Sequence, residues 1–419
     1  MSSTTRPQTP PHQPLHGVRM SARGIDQLLR AMYPECVTIS VAQLPSGRSF
    51  NNRIYNVKAD RGQAGAEDLV FKLAGRFFKS DKIQNEVICL RLMEIHCPEV
   101  PAPRVRAWSE DGRSLVRISS DGDGCETIEA PESEEGDHSG GWILMTRVPG
   151  EPVVPEEWDQ KTMMALAHQL ADMVATWRRK IPAIRHSANL LFCDRESVEL
   201  SLSMSNMETD FPWTKAQGLI GVPVDATPRA KQPASLVEYY QMRLESALYE
   251  VETKDIYALN RNLCVLVRRF AAETLPRLSL ASGPPKEKAF VFTHRDLSTR
   301  NILVEGNPPR ITGVVDFEFS GFFPETEEFV NAFDDEPGDW PKGFTAAYRD
   351  ELEIRGVATP LKSFDQVVWD RILSLDRLVE HIAPWWLAGQ ESQEVLRDEL
   401  EKAGEVVRRE IVALENSLD

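Results

Sequence analysis

The residues best equipped for chemistry lie in one stretch, Phe290–Ser320, which reads FVFTHRDLSTRNILVEGNPPRITGVVDFEFS. His294, Asp296 and Asn301 follow an apolar FVF run and stand just before a second one, NILV. The turn EGNPPR leads into ITGVVDF, which ends in Asp316. If NILV and ITGVVDF pair as an antiparallel hairpin, the midpoint of 301 and 316 falls between Pro308 and Pro309, where turn residues sit. Asn301 and Asp316 are then expected to face each other across the open end of the hairpin, beside Asp296. An Asn and an Asp both offer oxygen, which suits a hard Mg²⁺ that keeps waters and takes other ligands from nucleotide phosphates. Asp296 is left to orient an attacking hydroxyl and accept its proton. Singly, such residues cap loops. The complete order of His, Asp, Asn, hairpin and Asp between apolar strands favours chemistry over capping.

Elements must hold these residues in place. From Cys36 to Val148 the texture is strand-like: CVTISVAQL alternates, and RIYNVKA, DLVFKL, RVRAW, RSLVRI and GWILMTRV follow as short apolar runs. One helix is predicted among them, Asp81 to His96, from the spacing of Ile83, Val87, Leu90 and Met93. Between Ser119 and Gly141 lie eight acids and no Lys or Arg. A calcium loop there would need ligand spacing that the stretch lacks, so a mobile acidic insertion between strands is expected. After Pro149-Gly150 the pattern turns helical, with helices predicted over MMALAHQLADMVATWRR and near 235–254, 258–275, 365–380 and 391–415. The polar stretch 201–234 reads as a long loop or partial cover. Residues 1–18 read as a disordered tail, 19–148 as a β-rich lobe and 149–419 as a helical lobe: a bilobal α+β fold.

Composition narrows the function classes. The chain has 419 residues and a net charge of −16, which makes a phosphate backbone a poor partner, and no basic patch offsets it. No apolar run is long enough to span a membrane, and the N-terminus has no secretory h-region. Six scattered cysteines without a CxxC pair fit reduced thiols in a cytoplasmic enzyme. The expected partners therefore exclude nucleic acid and membrane. Oligomeric state is not legible.

HRDLSTRN and VVDFEF resemble the catalytic loop and metal motif of the aminoglycoside phosphotransferase and choline kinase family, which has a protein-kinase-like fold. The resemblance, over about residues 35–400, implies a catalytic aspartate, Asp296, on a loop braced by His294 and Arg295. It implies metal ligands in Asn301 and Asp316, and a supporting acid in Glu318. Arg295 stands where many members have Gly. A kinase site also needs a strand lysine held by a helix glutamate. Lys72 in DLVFKL and Glu86 in QNEVICLRLM supply that pair, with Glu94 a rival two turns on. The turn LPSGRSFNNRIYNV is expected to cover phosphates, with Ser46, Ser49 and Asn51 as contacts. GWILMTRVPG resembles the strand and hinge, where Met145, Thr146 and Val148 would border adenine.

Asp316 is not followed by the A-P-E segment that docks a peptide in protein kinases. Instead come Glu325, Glu327, Glu328, Asp334, Asp335, Glu336 and Asp339, able to attract a cationic acceptor or simply to be solvated. Aromatic residues from Phe319 to Trp386 read as an acceptor pocket or as core. The expectation is ATP-dependent, Mg²⁺-assisted phosphoryl transfer to a hydroxyl of a small molecule, amine-bearing or aminoglycoside-like. The alternatives are a pseudokinase that binds without turnover and, less favoured, a protein kinase.

Overall fold

Alternation of apolar and polar residues builds the N-terminal part into one antiparallel sheet. Its strands are β1 (Thr38–Gln43), β2 (Asn52–Asp60), β3 (Ala66–Ala74), β4 (Val105–Ser109), β5 (Ser114–Ile118), β6 (Cys125–Glu129) and β7 (Trp142–Thr146), in the order β1-β2-β3-β7-β4-β5-β6. This computed structural model describes residues 15–45, 51–62, 65–75, 81–118, 125–131, 140–187, 189–193, 220–223, 233–280, 290–333, 339–360, 362–387, 390 and 392–418. The pleat decides which side chains reach the site. Along β3, Leu69, Phe71 and Leu73 pack on one face of the sheet, so Val70 and Lys72 point to the other.

Helix α1 (Ala22–Met32) covers the first face, a helix the sequence reading did not include. Ser21 caps it by accepting the Gly24 N–H at 2.9 Å, and Ile25, Leu28, Leu29 and Met32 supply the apolar stripe. Two sequence expectations change here. Leu15 and Val18, placed in the disordered tail, are buried, and Arg53 donates to the Val18 carbonyl at 2.5 Å. The Pro- and Ser-rich composition of the whole window obscured these two apolar residues, while residues 1–14 lie outside the described ones. The acidic stretch 119–141 contains β6, paired in register with β5 from Ser114↔Glu129 to Ile118↔Cys125. Ile128 and Ala130 pack against the core, the apolar anchors that a count of charges hides.

Helix α2 (Asp81–His96) lies against the second face. Ile83, Val87, Ile88, Cys89, Leu90, Leu92 and Met93 are buried, and so are Lys82, Asn85 and Glu86, so it is buried nearly all round, as befits a helix wedged between the sheet and the C-terminal part. The same core cluster continues through the C-terminal helices. These are α3 (Gln160–Lys180), α4 (Leu236–Thr253), α5 (Cys264–Arg269), α6 (Glu327–Phe333), α7 (Lys342–Ile354), α8 (Gln366–Ile382) and α9 (Gln393–Asn416). Side-chain caps start four of them: Asp159, Ser235, Asp365 and Ser392. The expected helix near 258–275 is broken into 3₁₀ (Asp255–Leu263), α (Cys264–Arg269) and π (Phe270–Thr274) turns ahead of a last 3₁₀ turn that contains Pro276. Beside and within the stretch read as loop or cover, Leu190–Cys193 pairs with Ile220–Pro223.

Among the described residues, no helix is long and apolar enough to cross a membrane. Cys36, Cys89, Cys97 and Cys264 are free and buried.

Candidate active site

The strand Phe290–Thr293 delivers the HRD loop, and a 3₁₀ turn, Thr299–Asn301, closes it. His294 is fully buried and neutral by desolvation, which lowers its pKa against the pull of Asp296 and Glu328. The Asp296 backbone N–H donates to its Nδ1 at 3.3 Å, so Nε2 carries the proton and donates to the Val315 carbonyl at 3.1 Å. One imidazole thus joins the loop to the end of the hairpin. Asn301 donates from Nδ2 to the Asp296 carbonyl at 2.8 Å, tying the two ends of the loop. The Asp296 carboxylate faces the Arg300 guanidinium, which reaches both oxygens at 2.8 Å.

The hairpin forms, with its register shifted by one residue from expectation. Glu305 pairs with Arg310 around the turn Gly306–Pro309, and a bulge between Leu303 and Val304 skips Thr312. The turn centres earlier than Pro308–Pro309, and the bulge recovers only one of the two residues of offset. Asn301 therefore faces Val315, whose N–H donates to its carbonyl at 2.9 Å. Asp316 stands one position further on, in the left-handed conformation (φ 67°), which turns it out of the strand. Gly313 permits this close packing, because a Cβ there would meet Val148 Cγ1 at 2.5 Å.

Asp316 meets the two N-terminal residues expected of it. Lys72 Nζ lies 2.8 and 2.7 Å from the Glu86 oxygens, 2.7 Å from Asp316 Oδ1 and 3.2 Å from Glu318 Oε2. Glu94, the rival, pairs instead with Arg91 at 2.5 Å. Glu318 is further held by Lys82 at 2.9 Å, Asn52 at 2.7 Å and Asn51 at 3.0 Å. Burial works against the Lys72 charge, yet Asp316, Glu318 and Glu86 outweigh it and hold its pKa well above the usual lysine value. Burial pushes Glu86 up to about 7 in spite of Lys72. Burial and the neighbouring Glu318 charge raise Asp316. Glu318 moves the other way: burial opposes ionisation, but Lys72 and Lys82 keep it far below the carboxylate range.

Oxygens of Glu86, Asp316 and Glu318 lie within 4.8 Å of one another. Of these, Asp316 is the open one, its side chain 30% exposed while the others are closed off. Both oxygens of Glu86 and of Glu318 already have partners, so Asp316 is the carboxylate of the three that best fits a hard divalent cation.

Other expectations fare unevenly. Ser46 and Ser49 lie outside the described residues. Asn51 spends its side-chain amide on Glu318. Met145 is buried beneath the hinge, whereas the Thr146 N–H donates to the Arg104 carbonyl at 2.9 Å. Val148 packs over Gly313. Arg295 adopts φ 65° and points away from the cleft, its guanidinium 4.4 Å from the Phe323 ring and 2.8 Å from Glu327.

Glu327 and Glu328, read as carboxylates able to attract a cationic acceptor, are buried behind the loop. Glu327 also pairs with Arg243 (3.2 Å), itself paired with Asp376 (2.5 Å). Glu328 pairs with Arg178 (3.0 Å) and accepts the His294 backbone N–H (3.1 Å). Phe322, Phe323, Phe329 and Trp340 are core, while Trp385 and Trp386 are exposed. Sequence reasoning missed Asn52, Lys82 and Asn85. Only the four-residue spacing of Lys82 and Glu86 hinted that both share the buried face of α2.

Solved structures share this architecture. A putative aminoglycoside phosphotransferase from Ralstonia eutropha matches with a TM-score of 0.51 at 12% identity, covering 95% of this chain and 99% of that one. The ADP-bound aminoglycoside phosphotransferase APH(2'')-Ib matches with a TM-score of 0.50 at 14% identity, covering 94% and 99%. Ethanolamine kinase of Plasmodium vivax matches with a TM-score of 0.48 at 11% identity, covering 91% and 83%. Among curated proteins no sequence match is found. The fold is the protein-kinase-like α+β fold, β-rich first and helical after. The model of the phosphotransferase enzyme family matches residues 40–361, most of the chain, and the chain belongs to that family.

Proposed function

We propose that this phosphotransferase moves the γ-phosphoryl group of ATP, with Mg²⁺, to a hydroxyl of a small molecule. The supporting observation is the meeting of Lys72, Glu86 and Asp316, residues 14 and 244 positions apart from Lys72, at hydrogen-bond distance. In this reading residues 19–148 bind nucleotide, and 149–419 carry the catalytic loop and the acceptor. Lys72, steadied by Glu86, binds α- and β-phosphate oxygens. Mg²⁺, when bound, neutralises phosphate charge. Asp316 holds it, with Asn301 as the second protein ligand.

Asp296 orients the acceptor hydroxyl and takes its proton, on a loop kept in shape by neutral His294 and by partly buried Arg295. Asn51, Met145, Thr146 and Val148 border the nucleotide, the Val148 backbone carrying adenine, since the Thr146 N–H is already engaged. ADP in the APH(2'')-Ib structure supports a nucleotide in this fold. The aminoglycoside phosphotransferases among the similar structures support an amine-bearing acceptor. Glu327 and Glu328 do not serve it, being spent in buried ion pairs.

A panel of amino alcohols, aminoglycosides and hydroxylated metabolites, scored for acceptor-dependent ADP release, tests the reading. With an accepted compound, Asp296→Asn should keep nucleotide affinity and lose about 10²–10⁴ in turnover. Near-normal turnover in that variant rejects Asp296 as the proton acceptor.

A further inference from the structure

Glu318 enters the site as a supporting acid with no task of its own, and its surroundings supply one. Its carboxylate is 1% exposed. Oε2 faces Lys82 at 2.9 Å, Asn52 at 2.7 Å and Lys72 at 3.2 Å, while Oε1 accepts from Asn51 at 3.0 Å. These donors come from β2 and the residue before it, from β3 and from α2, all in the N-terminal part, and converge on a residue of the C-terminal part. Lys82 also donates to Asn52 Oδ1 at 3.1 Å.

Helix α2 offers Lys82 and Glu86 one turn apart on a single face, one cation and one anion. Between them Asn85 donates to the Glu318 and Ser320 carbonyls, at 3.1 and 2.9 Å, and accepts the Leu190 N–H at 2.7 Å. A buried lysine is costly without such partners. Sliding α2 by one turn, about 5.4 Å, would break the Lys82 and Glu86 pairs together.

We propose that Lys82, Asn51 and Asn52 latch α2 and the start of β2 onto Glu318, making them positioning residues for nucleotide, with Glu318 an anchor and not a metal ligand. The proposal rests on the functional reading above. A metal at Glu318 would have to displace donors that already occupy both its oxygens, whereas Asp316 keeps an open edge.

Calorimetric titration of the full chain with a non-hydrolysable ATP analogue, over a range of Mg²⁺ concentrations, tests it. Lys82→Met and Glu318→Gln should each weaken analogue binding about tenfold, and the double variant should also lose about tenfold, not a hundredfold, because one latch is broken in all three. Lys82→Arg should retain affinity to within about threefold, as the charge persists. The Mg²⁺ concentration at half-saturation should stay at the wild-type value in every variant. Melting temperatures report folding, and if Lys82→Met does not fold, Asn52→Ala takes its place with a smaller loss in the same direction.

A Glu318→Gln variant that needs far more Mg²⁺, beside a normal Lys82→Met, would make Glu318 a metal ligand and overturn the proposal. Affinity in Lys82→Met within about twofold of wild type would also overturn it. Failure of the underlying reading looks different: the wild-type chain itself would show no Mg²⁺-dependent nucleotide affinity.

Discussion

Two groups of buried charge meet the HRD loop and the strand end beyond it, and they are composed differently. On the cleft side, Lys72 and Lys82 face Glu86, Asp316 and Glu318: two cations against three carboxylates, with Asp316 partly open. Behind the loop, Arg178, Arg243 and Arg295 face Glu327, Glu328 and Asp376, three against three, with the carboxylates closed off and the arginines partly buried. The second group is complete as it stands, and its arginines use planar forks suited to pairing with carboxylates. The first group holds one carboxylate more than it has cations, so burial makes its full ionisation expensive, which a divalent cation would relieve. The difference separates a charge-balanced group behind the loop from one with a carboxylate in excess, the composition that the proposed metal site requires.

Neutralising one carboxylate in each group is the sharpest way to break the comparison. Glu327→Gln leaves Arg295 and Arg243 short of a counter-charge and should cost about 3–5 kcal/mol in urea unfolding, the usual penalty for half of a buried pair. Asp316→Asn should leave stability unchanged or raise it, since burial and Glu318 already disfavour its charged form. Asn also tolerates the left-handed backbone at that position. The same variant should lose Mg²⁺-dependent nucleotide binding. Equal destabilisation by both substitutions would erase the distinction.

Two of their carboxylates, Glu86 and Glu327, should also differ in the sign of their pH dependence. Glu86 rises from an ordinary 4.5 to about 7. Between those values the unfolded chain has released a proton that the folded chain keeps, so this contribution to stability falls as pH rises from about 4.5 to about 7. Glu327 is lowered, because Arg295 and Arg243 outweigh its burial. Its contribution is present above its unfolded value and is lost as pH falls. Glu86→Gln should therefore flatten the decline above pH 4.5 in denaturation curves, and Glu327→Gln should leave that decline in place.

The contrast also explains what could be read from the sequence alone. Local periodicity revealed six of the seven strands of the sheet, α2 and the long C-terminal helices, because each buries a face at its own spacing. The Lys72–Glu86 pair could be found because the kinase resemblance of HRDLSTRN and VVDFEF called for a strand lysine and a helix glutamate earlier in the chain. The group behind the loop could not, since Arg243, Glu327 and Asp376 are joined only by tertiary packing across 84 and 133 residues. Charge in sequence carries no sign of burial, so Glu327 and Glu328 looked like surface carboxylates. The hairpin register slipped because the turn takes Gly306–Pro309 and centres before Pro308–Pro309, and the bulge at Thr312, whose hydroxyl donates to the distant Pro149 carbonyl at 2.6 Å, recovers only half of that offset.

The smallest expected effect concerns Arg300, which belongs to neither buried group. Its side chain is 61% exposed, pairs with both Asp296 oxygens, and lies 3.5 Å from Asp339. An exposed pair of this kind contributes about 0.2–1 kcal/mol, because water and salt screen it and the long side chain loses freedom on pairing. Asp296 does not depend on Arg300 for its place. Its N–H donates to His294 Nδ1, and its carbonyl accepts from Asn301, both from within the loop. Arg300→Ala should therefore shift the unfolding free energy by less than about 1 kcal/mol, a change that high salt would mimic in the wild type. Turnover should change by less than about tenfold, against the far larger loss expected for Asp296→Asn. A loss in Arg300→Ala approaching that of Asp296→Asn, with stability intact, would move Arg300 from the rim into the reacting group and extend the cleft-side cluster by one cation.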